Sequence, residues 1–356
     1  MGEISKVNEI LIADVKSVNV CGKSPGHYFP VAKNYFDIFR NSGVNIKVAG
    51  GPVYKGIFPE VETLPYDTYK GENVVKSKVK IISNMRHLFK KNAVVILQSN
   101  AVATAYLGIA LFASKKNPVY MIQYDTLGLD SLIKRCLYRL AYPKIAGMIC
   151  TSETIGRAYK KPYCVVPDYI YTKDVNLDER NSYQYDICMV GLICEDKGVL
   201  EAIEVLANTN YKVFVGGKVS DDALKKRIEK AAQNHENITM KLGYLSDDEF
   251  RTAIVSSKYC LLNYSNAYSE HSSGVVYDVL FSGTPIIARR CEFLDFVDEW
   301  KVGYVYTDIS EFDFDKVMSD SSIMTARRNI IPYLESHKAF AESLCAFVVG
   351  EKIDGN

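Results

Sequence analysis

Ser269-Glu270-His271-Ser272-Ser273-Gly274-Val275-Val276-Tyr277-Asp278-Val279-Leu280-Phe281-Ser282-Gly283-Thr284-Pro285-Ile286-Ile287-Ala288 decides how this chain reads. A strand end passes into a polar loop, a helical pattern follows, and after Gly283-Thr284-Pro285 a short apolar run has strand character. The small residues Ser272, Ser273 and Gly274 fall where the helix begins. A helix start presents N–H groups without intrahelical partners and the positive end of the dipole, and both favour a phosphate. Glu270 stands just before that start and Asp278 lies eight residues on, about two turns along the helix. The same residues also read as an ordinary N-cap at Ser272 and a solvated Asp278, and the stretch alone does not choose.

Working outward, the same alternation fills the chain. In the second half, strands are expected at 185–190, 212–215, 238–241, 259–262 and 285–288, with a helix at 198–206. In the first half they are expected at 9–13, 44–49, 94–97, 119–123 and 147–150, with a loop holding Gly22, Pro25 and Gly26 and a helix over 28–41. Strands separated by helices pair in parallel, which implies an α/β protein of two Rossmann-like domains facing a central cleft. The expected division is 1–165, 166–335, and a C-terminal segment 336–356. Pro162 and Pro167 mark the join near 165–174 as a linker, and the amphipathic pattern over 333–349 is expected to pack back across the joint. Residues 93–114 carry no charge and are long enough to span a bilayer. Gln98-Ser99-Asn100 interrupts them, however, so a buried strand, a polar loop and a helix from about 101 to 113 fit better.

The 356 residues are 48% hydrophobic and 24% charged, a soluble globular composition that excludes collagen, a coiled-coil rod and bulk disorder. Net charge is +1, but residues 1–165 hold 23 Lys and Arg against 11 Asp and Glu, +12, leaving −11 for the remainder. Nine cysteines are scattered without CxxC spacing, which argues for reduced thiols in a cytoplasmic setting and against a zinc site. The first residues lack the charged start and apolar core of a signal peptide.

Two further segments carry chemistry. Met189-Val190-Gly191-Leu192-Ile193-Cys194-Glu195-Asp196-Lys197-Gly198 places a glycine at a strand end and a lysine just before a helix, where it either holds a diphosphate as a point charge or sits, as lysines more commonly do, on the surface of a turn. From Asn237 a strand leads through Gly243 and Tyr244 to a capped helix at Ser246-Asp247-Asp248-Glu249. His27, after Gly26, is placed either to orient or deprotonate an acceptor hydroxyl or to sit as an ordinary loop histidine. His271 either touches a sugar or caps its loop.

In this order the three segments resemble the donor-binding half of GT-B glycosyltransferases, particularly the family 4 type, and the resemblance spans most of residues 7–350. It implies a retaining, metal-independent transfer from a nucleotide-sugar, with a UDP- or GDP-linked substrate and no other cofactor. Lys197 matches the family lysine on the diphosphate, and Glu270 the glutamate near the donor sugar. Ser272, Ser273 and Gly274 match the phosphate-binding amides, and Asp278 stands for the glutamate that contacts the ribose. Gly26, Gly191, Tyr244 and His271 complete the expected donor contacts, and His27 joins Glu270 and Lys197 as a catalytic candidate. Three departures are Leu192 in place of an arginine, Asp278 in place of a glutamate, and Tyr124 where many relatives have histidine. They leave two alternatives open: a nucleotide-sugar 2-epimerase of the same fold, or a non-catalytic sugar-nucleotide-binding subunit.

Arg86-His87-Leu88-Phe89-Lys90-Lys91 and the segment 134–144 mix cations with Leu, Phe and Tyr. Such helices lie on anionic membrane surfaces or simply present a solvated face over a buried stripe. The resemblance implies a glycan or lipid-linked acceptor in surface polysaccharide biosynthesis, with peripheral association at the inner face of the plasma membrane as one option. No nucleic-acid module accompanies the charge, so no nucleic-acid partner is expected.

Overall fold

The structure is a computed structural model that describes residues 9–19, 28–40, 43–58, 60–98, 102–171, 180, 182–265 and 273–350. The chain divides into two compact units, Met1–Thr172 with Lys338–Asn356, and Lys173–His337.

The first unit contains β1 (Glu9–Ala13), β2 (Val18–Asn19), α1 (Tyr28–Phe39), β3 (Asn45–Gly50), β4 (Val61–Thr63), β5 (Thr68–Tyr69) and α2 (Val74–Leu88). It continues with β6 (Val94–Leu97), α3 (Val102–Phe112), β7 (Val119–Gln123), α4 (Leu132–Ala141), β8 (Ile145–Cys150), α5 (Glu153–Ala158) and β9 (Tyr163–Val165). Seven strands form one sheet in the order β4-β3-β1-β6-β7-β8-β9, every pairing parallel. Because side chains alternate across a strand, β1 feeds two cores. Leu11 and Ala13 pack with Ile81 and Met85 of α2, Ile109 of α3 and Tyr138 of α4. Ile10 and Ile12 pack with Tyr35 and Ile38 of α1 on the other face. A sheet covered on both faces needs continuous apolar strands, which Val94-Val95-Ile96-Leu97 supplies.

The second unit contains β10 (Tyr185–Val190), α6 (Val199–Leu206), β11 (Val213–Gly217), α7 (Asp222–Ala232), β12 (Ile238–Leu242), α8 (Asp247–Val255) and β13 (Ser257–Leu262). After these come α9 (Gly274–Phe281), β14 (Ile286–Arg289), α10 (Phe296–Glu299), β15 (Gly303–Tyr306) and α11 (Phe314–Val317). Its six strands run β12-β11-β10-β13-β14-β15, again all parallel.

The last helix, α12 (Asp320–Val349), begins well before the expected 333 and continues through Pro332. Proline removes one helical hydrogen bond. Burial of Ile330, Tyr333 and Leu334 on either side of it offsets that loss. The division between units falls inside this helix, and its final turns, with Leu344 and Val348 buried, join the core of the first unit. Phe347 meets the Tyr120 ring edge-on at 5.2 Å. The uncharged stretch 93–114 resolves into β6 and α3, with 99–101 outside the described residues. Among the described residues no helix is long and apolar enough to cross a membrane. Residues 172–174 of the expected linker also lie outside them.

Candidate active site

In the second sheet the chain passes from β10 outward to β11 and β12, then returns to the other side of β10 as β13. Ligands of open α/β sheets bind at the carboxyl ends of strands at such a switch point. Two loops meet there. The one after β10 begins with Gly191 at φ 107°, makes a tight turn over Glu195–Lys197 and reaches α6 through Gly198 at φ 59°. A Cβ on Gly191 would stand 2.8 Å from Val275 Cγ2, so this loop lies against the first turn of α9. A Cβ on Gly198 would strike the carbonyl oxygen of Asn263 and come within 2.7 Å of its Nδ2. Left-handed backbone and close approach together require glycine here.

Asn263, just after β13, holds that turn. Its Nδ2 donates to the Gly198 carbonyl at 2.8 Å and to Glu201 Oε2 at 3.0 Å, and its Oδ1 accepts from the Tyr306 hydroxyl at 2.7 Å. Arg289 donates to the same Glu201 oxygen at 3.0 Å. A buried polar group this well satisfied fixes one conformation of the backbone around it.

Lys197 follows from this geometry. It is only 7% exposed, and its Nζ lies 5.3 Å from the centroid of the Tyr264 ring. Burial lowers its pKa from the ordinary lysine value, with the Cys194 and Cys260 thiols opposing the shift. An ammonium in low dielectric interacts with an anion more strongly than it would in water. Tyr264 leads on to α9, since its hydroxyl is 2.9 Å from Ser273 Oγ. Ser273 occupies the N-cap position, but its side chain makes no capping bond to the helix. Among the described residues, a Cβ on Gly274 would meet nothing within 4 Å. The Ser265 amide donates to the Asp196 carbonyl at 2.8 Å, while its own hydroxyl is buried without a hydrogen-bond partner among the described residues.

The structure therefore brings Gly191, Lys197, Ser273 and Gly274 to one end of the sheet. Asp278 lies further along α9. Although more than a third of its surface is exposed, desolvation by the surrounding protein, with the Asp247 carboxylate adding to it, pushes its carboxyl up to about 6. Tyr244 is 84% exposed in the loop that leads to Asp247. Gly26, His27, Glu270, His271 and Ser272 lie outside the described residues. In the first unit Tyr124 is partly buried against the core rather than presented on the surface. Sequence reasoning did not single out Asn263, Tyr264, Glu201 or Arg289. The signal for the first two was their place directly after the apolar run Tyr259-Cys260-Leu261-Leu262 at a strand's carboxyl end. Among the described residues no group of three His, Cys, Asp or Glu could hold a metal ion.

No protein-family model matches the sequence, and no curated protein matches it either. Solved structures do. AviGT4, a glycosyltransferase involved in avilamycin A biosynthesis, is 13% identical, with a TM-score of 0.59 over 95% of this chain and 98% of its own. Anabaena Alr3699/HepE in complex with UDP and glucose is 12% identical, with a TM-score of 0.65 over 94% and 98%. A glycosyltransferase from Rickettsia africae is 12% identical, with a TM-score of 0.65 over 97% and 100%. These full-length matches show the fold: two Rossmann-like domains of the GT-B glycosyltransferase type.

Proposed function

We propose that this protein transfers a sugar from a nucleotide-sugar donor to a glycan or lipid-linked saccharide acceptor in surface polysaccharide biosynthesis. The donor is UDP- or GDP-linked, the transfer is retaining and independent of a metal, and the setting is cytoplasmic. The observation that carries this reading is the chain of contacts from buried Lys197 through Tyr264 to Ser273 at the uncapped start of α9. The resemblance of the same segments to donor-binding motifs supports it. So does the fold shared with HepE, whose structure holds UDP and glucose.

The chemistry follows from where charge develops. As the bond between sugar and diphosphate breaks, the leaving group gains negative charge, and preorganised cations and N–H groups stabilise that charge most effectively. Lys197 supplies the cation. Burial lowers its pKa, and in that low-dielectric setting an ammonium interacts with a diphosphate more strongly than it would in water. The amides of Ser273 and Gly274 supply donors at the positive end of α9. In this reading Glu270 lies near the donor sugar, Asp278 near the ribose hydroxyls, and His27 beside the acceptor.

The test is turnover. Purified protein is offered a panel of nucleotide-sugars, with release of nucleoside diphosphate as the readout. One donor is hydrolysed or transferred, and Lys197→Ala and Glu270→Ala abolish that turnover while thermal melts stay cooperative. Full activity in both variants overturns the assignment.

A further inference from the structure

Six carboxamide side chains are buried among the described residues, at Asn34, Asn84, Gln98, Asn117, Gln123 and Asn263. Five are hydrogen-bonded. Asn34 bonds the amide and carbonyl of Ile170, Asn84 the backbone of Val15 and Tyr66, and Asn117 the Ser114 hydroxyl and the Lys91 carbonyl. Asn263 holds the turn at Gly198, and Gln123 accepts from the Tyr159 hydroxyl at 3.1 Å. Gln98 is the exception. It is 1% exposed, and neither Nε2 nor Oε1 has a hydrogen-bond partner among the described residues. Exchanging the two atoms does not help, since both are bare. A buried amide without partners is costly and rare in native proteins.

Gln98 also stands where ligands of open sheets bind. In the first sheet the chain runs from β1 outward to β3 and β4, then returns to the other side of β1 as β6. The carboxyl ends of β1 and β6 are therefore a switch point. Gln98 directly follows β6, and its backbone N–H donates to the Ala13 carbonyl at the end of β1 at 3.1 Å. Ala13 pairs with Leu97, so Asp14 and Gln98 come next on neighbouring strands. Asp14 is wholly buried and fixes the turn that leaves β1. Its Oδ1 accepts from the amides of Lys16 at 3.1 Å and Ser17 at 2.9 Å, and its Oδ2 from the Tyr54 hydroxyl at 2.8 Å. The Gly51 amide donates to Ser17 Oγ at 2.7 Å, which draws the same turn toward the end of β3. β6 instead leads on to α3 and to β7 on its far side, so the two exits part beside Gln98.

We propose that Gln98 holds two adjacent hydroxyls of the acceptor saccharide and sets specificity for them, an assignment that rests on the reading of the acceptor as a saccharide. A carboxamide offers one acceptor and one donor side by side. A vicinal hydroxyl pair of a pyranose is the matching partner, because one hydroxyl donates to Oε1 while the next accepts from Nε2. Charge selects the class of ligand. Asp14, one strand away, places a buried carboxylate beside the amide, and an anion such as a phosphate would meet repulsion in low dielectric. A neutral polyol meets none. Both hydrogen bonds form only with the ligand in place. A sugar lacking either hydroxyl leaves half of the amide bare, and a polar site of this kind rejects such analogues strongly.

The experiment uses the full chain without nucleotide. Saturation-transfer NMR titrations with the methyl pyranosides of glucose, galactose, mannose and N-acetylglucosamine identify a sugar that binds wild type, and its monodeoxy analogues follow. Wild type loses at least about tenfold in affinity when either of two adjacent hydroxyls is removed. Gln98→Met keeps the side-chain volume and removes the amide. It binds the parent sugar at least about tenfold more weakly and no longer distinguishes it from those two analogues. Thermal melts separate this role from a structural one. Gln98→Met melts at or above wild type, because it removes an amide that the fold leaves bare. Gln123→Met melts about 2–4 °C lower, because its amide is bonded to Tyr159. Failure of every pyranoside to bind wild type overturns the proposal, as do equal binding by Gln98→Met and indifference to adjacent hydroxyls. A Gln98→Met melt more than about 2 °C below wild type also overturns it, in favour of a structural amide. Saccharide binding that depends on Gln98, without turnover of any nucleotide-sugar, counts against sugar transfer and not against this contact.

Discussion

Gly198→Ala tests whether the turn that carries Lys197 is built as described. The substitution places a methyl group where φ is 59° and where the Asn263 carbonyl and amide already stand. Forcing a non-glycine residue into left-handed backbone costs about 1–2 kcal/mol. Relieving the clash moves Asn263 away from the Gly198 carbonyl and weakens a 2.8 Å hydrogen bond, at a further cost of about 1 kcal/mol. The sum, about 2–3 kcal/mol, lowers the melting temperature by roughly 4–12 °C for a unit of this size. Asn263 also bonds Glu201 and Tyr306, so the shift propagates to the support of Lys197. Differential scanning calorimetry with and without a nucleoside diphosphate reads both effects. The second unit's transition moves down, and the ligand-induced rise shrinks. A melting temperature within about 1 °C of wild type would mean that Gly198 carries neither the strain nor the clash.

Three further outcomes follow from the same residues. Gly274→Ala leaves stability within about 0.5 kcal/mol, because its Cβ meets nothing and its backbone is helical, yet weakens nucleoside diphosphate binding at least about tenfold by crowding the phosphates; titration calorimetry reads the split. Asn263→Ala leaves the Gly198 carbonyl and Glu201 short of a donor and costs about 1–3 kcal/mol in denaturant unfolding. Asp278→Asn is a pH experiment. The carboxyl is raised to about 6 in the folded state, so the folded form holds its proton more tightly than the unfolded chain. The stability this confers is fully present below the unfolded value of about 3.9 and is lost as pH rises through 6. The asparagine variant therefore gains on wild type in melts at pH 7 and 8 and not at pH 4, and the gain is modest because the residue is partly solvated.

The sequence was most legible where burial leaves no choice. Val94–Leu97, Val119–Gln123 and Tyr185–Val190 fall where their apolar runs placed them, because a central parallel strand covered on both faces tolerates little else. Edge elements were harder. Val61-Glu62-Thr63 and Gly303–Tyr306 each pair on one side only, and their mixed sequences carry no continuous apolar run. Helix α2 opens on exposed Val74 and Val75 with lysines at 76, 78 and 80, which obscures its buried face of Ile81, Met85 and Leu88. Pro332 masked the early start of α12, since packing around it outweighs a lost hydrogen bond.

Gly191, Lys197, Ser273 and Gly274 stand out in the sequence by their places at a strand end or a helix start, and the fold brings them to one end of the sheet. The burial of Lys197 does not stand out there. A lysine beside Glu195 and Asp196 reads as a surface residue until the fold brings Tyr264 alongside it. The Asn263–Glu201–Arg289–Tyr306 network was invisible for the same reason, as its members lie on four separate elements. On α4 the sequence showed cations among apolar residues, and only the fold revealed that Leu132, Ile133 and Leu140 are exposed.

In the proposed reaction, buried Lys197 holds the diphosphate of a nucleotide-sugar. Titration calorimetry of the full chain against UDP, GDP and their sugar conjugates, repeated with Lys197→Met, tests it most directly. Methionine keeps the volume and apolar stem while removing the charge, so folding survives. One nucleoside diphosphate binds wild type, and the variant loses at least about tenfold in affinity, as expected for removal of a charge-assisted contact. Failure of every nucleotide to bind, or equal binding by wild type and Lys197→Met, would contradict it.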